Sequence, residues 1–265
     1  MFNRTWLFVP ATERFLSDKL AGLADVLIFD LEDSIREEEK PSARIRLCKA
    51  LNNDFGAEIY IRINAGAVGE EDLLSLNSCR FDGLIIPKVE KVASIIKLSE
   101  QIKDKKLIAL IESVEGVFNL EQIAKLPCIY GLAFGGEDYC RELGVETNEL
   151  AMQFARGKLV LLSKYYEKYC LDTICMNYID ESFFLQQYRE SIAMGFNSKL
   201  LIHPAQAKMI RALEETEMKV EEMRIIVHTF EKSDSGLVKI NEHWYEKPHI
   251  ERLKKQIEQA EKENA

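Results

Sequence analysis

Eight short apolar segments, separated by helix-forming stretches, recur along the 265 residues. They are TWLFV (5–9), DVLIFD (25–30), EIYIRI (58–63), GLIIP (83–87), LIALIE (107–112), IYGLAF (129–134), TICMNY (173–178) and KLLIH (199–203). Each is a nearly unbroken apolar run with β-branched and aromatic residues, not an in/out alternation. That pattern belongs to strands buried on both faces, as in a parallel sheet covered by helices. Between the runs, apolar residues return at threes and fours: Val89, Val92, Ile95, Ile96 and Ile102 in one stretch, and Val117, Leu120, Ile123 and Ala124 in another. Those spacings predict helices with one buried face. Alternation of this kind, in a chain near the ~250 residues of one such barrel, predicts the α/β class and a (β/α)8 TIM barrel, with a doubly wound open sheet as the alternative.

The longest interruption runs over 135–172, where Asn148 is placed to start a helix. The barrel is expected over residues 1–215 and a helical extension over 216–265, broken at KSDSG (232–236) and restarted after Pro248. The highly charged last segment suits either a solvated helix or one packed on a neighbouring subunit. No internal repeat or low-complexity segment interrupts this plan.

Composition excludes several classes. Forty-seven per cent apolar and 30% charged residues describe a folded globular chain, not a disordered one. A net charge of −9 has the wrong sign for a nucleic-acid or anionic-membrane binder. The six cysteines form no C-x-x-C pair and sit in apolar segments, as free thiols in a reducing compartment do. The start, MFNRTWLFVPATERF, is too short in apolar residues for a signal peptide, and no run approaches the ~18 residues of a membrane span. A cytoplasmic protein is expected.

In such a barrel the active site lies at the carboxyl ends of the strands. Those ends carry Pro10 and Arg14; Asp30, Glu32 and Asp33; Arg62 and Asn64; Pro87 and Lys88; Glu112; Gly135, Gly136, Glu137 and Asp138; Asn177 and Asp180; His203 and Gln206. One rim would then gather Glu32, Asp33, Glu112, Glu137 and Asp138 with Arg62 and Lys88. Packed carboxylates repel unless a cation sits among them, and a hard divalent ion, most simply Mg²⁺, fits an oxygen-rich set. The Gly-Gly turn of LAFGGEDY lets backbone amides approach a ligand carboxylate, or is simply a tight turn. Arg62 suits an enolate or carboxylate oxygen, or a structural ion pair with a rim acid. His203 is an acid/base candidate or a hydrogen-bonded structural residue.

Seven blocks in order, RTWLFVPATERF, DVLIFDLEDSIREEEKPSAR, IYIRIN, GLIIPKVE, LIALIESVEGVFNLEQIA, GLAFGGEDYCRELG and GFNSKLLIHPAQ, resemble the citrate lyase beta subunit-like branch of the HpcH/HpaI aldolase/citrate lyase family. The resemblance covers residues 4 to about 210 and implies a (β/α)8 barrel, a Mg²⁺ site and carbon–carbon bond cleavage or formation. The substrates it implies are a 2-oxo acid and an acyl thioester on coenzyme A or an acyl carrier protein, handled by a homotrimer or hexamer. Carried over by motif, Glu112 and Asp138 are the metal ligands, and Arg62 faces the reacting thioester or oxo acid. Glu32 and Asp33 hold metal-bound water or orient Arg62, and the amides around Gly136 and Glu137 bind the oxo-acid carboxylate. Family members often carry an Asp just before a Pro in the C-terminal segment. HWYEKPH puts Glu246 at that place, longer by one methylene, as base or as the partner of Lys247 or a rim residue. PATERF is shorter than the family's Gly-containing first loop. Arg14, Lys19, Lys40 and Arg44 are candidates for coenzyme A phosphate contacts or surface salt bridges, with Arg14 and Lys88 the substrate-binding cations.

Overall fold

Strands β1 (Trp6–Pro10), β2 (Val26–Asp30), β3 (Glu58–Arg62), β4 (Gly83–Ile86), β5 (Lys106–Ile111), β6 (Ile129–Phe134), β7 (Tyr169–Asp172) and β8 (Ser198–Leu201) pair in parallel, in chain order, and close into a barrel. The computed structural model describes residues 4–12, 14, 16, 20–102, 104–216, 220–233 and 235–263. Around the barrel run α1 (Lys40–Ala50), α2 (Gly66–Leu76), α3 (Val92–Gln101), α4 (Val114–Phe118), α5 (Leu120–Ala124), α6 (Gly136–Leu143), α7 (Glu149–Tyr165), α8 (Glu181–Met194) and α9 (Pro204–Thr216). Every residue of β2 is buried, as its unbroken apolar run requires. Trp6 packs against Tyr60 at 4.8 Å and Tyr169 at 5.5 Å between ring centroids, filling the amino-terminal end of the barrel with aromatic side chains.

The helices follow the expected stripes. Leu120, Ile123 and Ala124 are buried on α5, and the Asn148 side chain caps α7 by accepting from the Ala151 amide at 3.0 Å. The seventh strand is displaced: it is Tyr169–Asp172, not 173–178. Tyr169 registers with Gly131 of β6, and Asp172 ends the strand fully buried. Burial of that charge is possible because Arg156 donates Nε and Nη2 to its two oxygens at 3.0 and 2.6 Å, and Lys199 lies 3.3 Å away. The expected strand 173–178 is instead the loop that leaves the barrel, with Thr173 and Cys175 buried and Met176 exposed.

The chain divides into two compact units inside α9, Arg4–Met209 and a second from Ile210 onward. The second unit is not wholly helical. Between α10 (Val220–Glu231) and α11 (Lys247–Glu263) lies an antiparallel hairpin of β9 (Leu237–Ile240) and β10 (His243–Glu246). Its two-residue turn, Asn241 and Glu242, has φ of +48° and +64°, the left-handed pair that a tight hairpin needs. Ile226, Val227, Ile240, Ile250 and Leu253 form this unit's own core. No helix among the described residues is long and apolar enough to cross a membrane.

Candidate active site at the carboxyl ends of the strands

Asp30 and Arg62 end neighbouring strands and are register partners across β2 and β3. Their side chains therefore leave the sheet together. Arg62 donates Nε to Asp30 Oδ1 at 2.7 Å and Nη2 to Oδ2 at 2.8 Å, a two-pronged pair with Asp30 only 2% exposed. Burial alone would lower the Arg62 pKa, but Asp30 outweighs it and holds the guanidinium charged. Burial likewise acts to raise the Asp30 carboxyl, and Arg62 overcomes it to hold it below the usual range. The third nitrogen, Nη1, lies 3.3 Å from both Glu32 Oε2 and Asp33 Oδ2.

Glu112, just past β5, accepts the Lys88 backbone N–H on Oε1 at 2.7 Å. Lys88 reaches this geometry with φ +51°, an uncommon left-handed backbone for a residue with a side chain. Burial pushes the Glu112 carboxyl up to about 8, assisted by the charges of Glu32 and Asp138 and opposed by the Lys88 amide. Glu32 is also raised, by burial first, against the pull of Arg62. Lys88 Nζ is 3.1 Å from Glu32 Oε1, yet neither Glu32 oxygen accepts a well-directed hydrogen bond. Glu112, unlike Glu32, has no cation at ion-pair distance among the described residues and is held by a backbone amide alone.

The glycine pair after β6 is dictated by its neighbours. A Cβ on Gly135 would stand 2.5 Å from Glu112 Cβ, and one on Gly136 2.9 Å from Thr173 Oγ1. The Gly136 amide donates to that hydroxyl at 2.9 Å. It is therefore occupied within the protein, which corrects the expectation that it meets a ligand carboxylate. Thr173 keeps its own O–H to give. Helix α6 opens at Gly135 with no side-chain cap, so the first-turn amides of Glu137 and Asp138 are the ones placed for an anion. Asp138 Oδ1 pairs with Arg141 at 2.7 Å, and Glu137 Oε2 accepts from Thr147.

Asp30, Asp33, Arg62, Glu112, Gly136, Glu137 and Asp138 line one cavity of about 400 Å³, with Thr173 and the apolar side chains of Phe8, Leu110, Phe134, Ile174 and Met176. Of the residues expected from sequence, Glu32 and Lys88 adjoin this cavity through Arg62 and Glu112. Arg14 is exposed and does not line it. Glu246 belongs to the second unit, exposed at the end of β10. Arg44 is committed elsewhere, buried against Asp72 at 2.7 Å, and Lys40 pairs with Glu37 at 2.6 Å. Lys19 lies outside the described residues. Asn64 binds Asp72 and the Leu31 carbonyl, Asp180 caps α8, and Asn177 accepts from the Asp180 amide. His203 stacks on Tyr178 at 4.4 Å and accepts from the Ala205 amide, the structural alternative.

Thr173 is a functional candidate that the sequence did not reveal, and Asp30 is one that it placed at the strand end without a role. Asp30 carried a signal, a carboxylate closing a fully apolar strand directly opposite an arginine. Thr173 carried none once the seventh strand was misplaced.

Among the described residues no three His, Cys, Asp or Glu side chains converge as a complete metal cage. Mg²⁺ does not need one, since it keeps several waters and takes one or two carboxylates. Glu112 and the Oδ2 of Asp138 meet that requirement, and the raised carboxyl of Glu112 is the state that a nearby cation relieves.

The family model of the HpcH/HpaI aldolase/citrate lyase family matches residues 4–204. A (3S)-malyl-CoA thioesterase of Cereibacter sphaeroides is 32% identical over 79% of this chain and 76% of its own. The mitochondrial citramalyl-CoA lyase of Mus musculus is 30% identical over 79% of this chain and 70% of its own. The citrate lyase beta subunit of M. tuberculosis, solved with oxaloacetate and magnesium, superposes with a TM-score of 0.68 at 27% identity, over 78% of this chain and 95% of its own.

Proposed function

The chain belongs to the HpcH/HpaI aldolase/citrate lyase family, and from that premise we propose that it is a Mg²⁺-dependent carbon–carbon lyase. Its substrate is a β-hydroxyacyl thioester of the malyl-CoA or citramalyl-CoA kind, split into an acetyl thioester and a 2-oxo acid. The observation that carries this reading is the meeting of Arg62, Glu112 and Asp138 in one cavity at the carboxyl ends of the strands.

Mg²⁺, held by Glu112 and Asp138, would act as a Lewis acid on the oxo acid. The remaining work is done by this chain's own groups. Arg62 presents a fixed cation to the oxygen of the thioester enolate, where charge develops as the bond breaks. The Glu137 and Asp138 amides in the first turn of α6, with the Thr173 hydroxyl, hold the oxo-acid carboxylate. Phe8, Leu110 and Phe134 keep the reacting atoms dry, which strengthens each of these contacts. Glu32 and Asp33 flank Nη1 of Arg62 and set its direction. The thioester is carried on coenzyme A, in keeping with two relatives named for CoA compounds. The six free cysteines agree with a cytoplasmic enzyme, and the family resemblance with a homotrimer or hexamer.

The test is oxo-acid release from malyl-CoA and citramalyl-CoA, with Mg²⁺ or EDTA, for the wild type and Glu112→Ala. Metal-dependent release of glyoxylate or pyruvate, abolished in the variant, is expected. A folded protein that binds Mg²⁺ and releases neither would end this reading. The thioesterase relative favours a second one, hydrolysis at the same site. There, coenzyme A thiol would appear with no oxo acid beside it.

A further inference from the structure

We propose that Asp30 is a positioning residue of this site, the group that fixes the plane of the Arg62 guanidinium and, with the same carboxylate, the loop that presents Glu32 and Asp33. The inference rests on the lyase reading above for its kinetic consequence, and on geometry alone for its structural one.

Four donors converge on Asp30. Oδ1 accepts from Arg62 Nε at 2.7 Å and from the Glu32 amide at 3.0 Å; Oδ2 accepts from Arg62 Nη2 at 2.8 Å and from the Ser34 amide at 3.0 Å. Both edges of the carboxylate are therefore used, once toward the arginine and once toward the turn. The Phe8 ring lies 4.8 Å from Arg62 Cζ and closes another side of the guanidinium. With Nε and Nη2 taken, Nη1 is the nitrogen left for a substrate oxygen, and Glu32 and Asp33 stand at 3.3 Å from it. An arginine, its guanidinium carried on a chain of freely rotating single bonds, would otherwise sample many directions, and a shift of about 1 Å at a reacting group can cost about a hundredfold in rate.

An amide cannot take over this role. Asparagine offers one acceptor oxygen and one NH₂, so either Arg62 and a turn amide keep their partner while the other two donors face N–H, or the ring of contacts turns and breaks. Asp30→Asn therefore changes direction and charge while keeping size.

The experiment is a cycle of four proteins: wild type, Asp30→Asn, Arg62→Lys and the double variant. For Asp30→Asn, kcat for thioester cleavage should fall by about 10- to 100-fold, with KM changed less than about threefold. If Asp30 acts through Arg62, the double variant should be no slower than Arg62→Lys alone to within about twofold. Multiplied losses, or a folded Asp30→Asn with wild-type kcat, would overturn the proposal. A second readout needs no substrate: the Arg62 Nε–H resonance, identified by its disappearance in Arg62→Lys, should exchange slowly in the wild type and shift and broaden in Asp30→Asn. An unmoved resonance overturns the positioning role. If instead no thioester is cleaved by the wild type, the lyase reading fails and this resonance alone decides the inference.

Discussion

Glu112 is asked to be a metal ligand while its surroundings favour the acid. Its carboxyl is raised from an ordinary 4.5 to about 8, by burial first and by Glu32 and Asp138 next. A group raised in the folded state stabilises the fold while protonated, fully below about pH 4.5, and loses that contribution as pH climbs through about 8. Metal-free protein should therefore melt at a lower temperature at pH 8.5 than at pH 6, and Glu112→Gln should flatten that dependence. Because Mg²⁺ binds the ionised carboxylate, its stabilising effect should grow over the same interval. Thermal melts in EDTA and in Mg²⁺ decide it, and a metal effect independent of pH would show that Glu112 is not the ligand. Thr173 supports a narrower prediction. Thr173→Val keeps the shape and removes the hydroxyl, leaving the Gly136 amide without its acceptor. Affinity for pyruvate or glyoxylate should fall about tenfold by calorimetry, and Thr173→Ser should restore most of it. Arg62, Glu112 and Asp138 were legible because each follows an apolar run where a strand must end. Asp30 was visible but read as one acid among several, since only the register of β2 against β3 shows which carboxylate the arginine meets.

Elements were legible in proportion to how much of their character is local. Seven of the eight apolar runs became the strands they looked like, because β-branched runs buried on both faces have few other uses. The exception, TICMNY, looked more like a strand than YCLD, which ends in an acid and follows the charged end of α7. What made YCLD the strand is non-local: Arg156 from α7 and Lys199 from β8 neutralise Asp172. The hairpin in the second unit was hidden for a related reason. Leu237 and Trp244 are half exposed or more, so its strands show little alternation, and its turn reads Asn-Glu where Asn-Gly would have announced it. Glu242 at φ +64° pays for that choice in backbone strain. Glu242→Gly should stabilise the protein by about 0.5–1 kcal/mol, even after losing the exposed contact to Lys239 at 2.6 Å, which is worth little. Chemical denaturation measures this directly, and a loss of stability would mean that the ion pair matters more than the turn.

At the scale of the molecule, the sequence showed a barrel because eight repeats of one pattern constrain topology more than any single element does. It showed less of the field that the barrel creates. The chain carries −9 overall, and the cavity sets Asp30, Asp33, Glu112, Glu137 and Asp138 against Arg62 as its one lining cation among the described residues. Such a field draws a divalent cation toward the strand ends and repels an anionic thioester, so metal and substrate should feel opposite effects of salt. Raising the ionic strength from about 0.01 to 0.1 M shortens the screening length from about 30 to about 10 Å. Mg²⁺ affinity should then weaken by about two- to fivefold by calorimetry, while KM for the thioester at saturating Mg²⁺ should fall. The two measurements separate long-range attraction from local coordination. If affinity for the metal ignores salt, short-range bonds to Glu112 and Asp138 govern it and the net charge is incidental. If KM rises with salt instead, a cationic patch outside the cavity receives the thioester, and exposed Arg14 would be the first residue to replace.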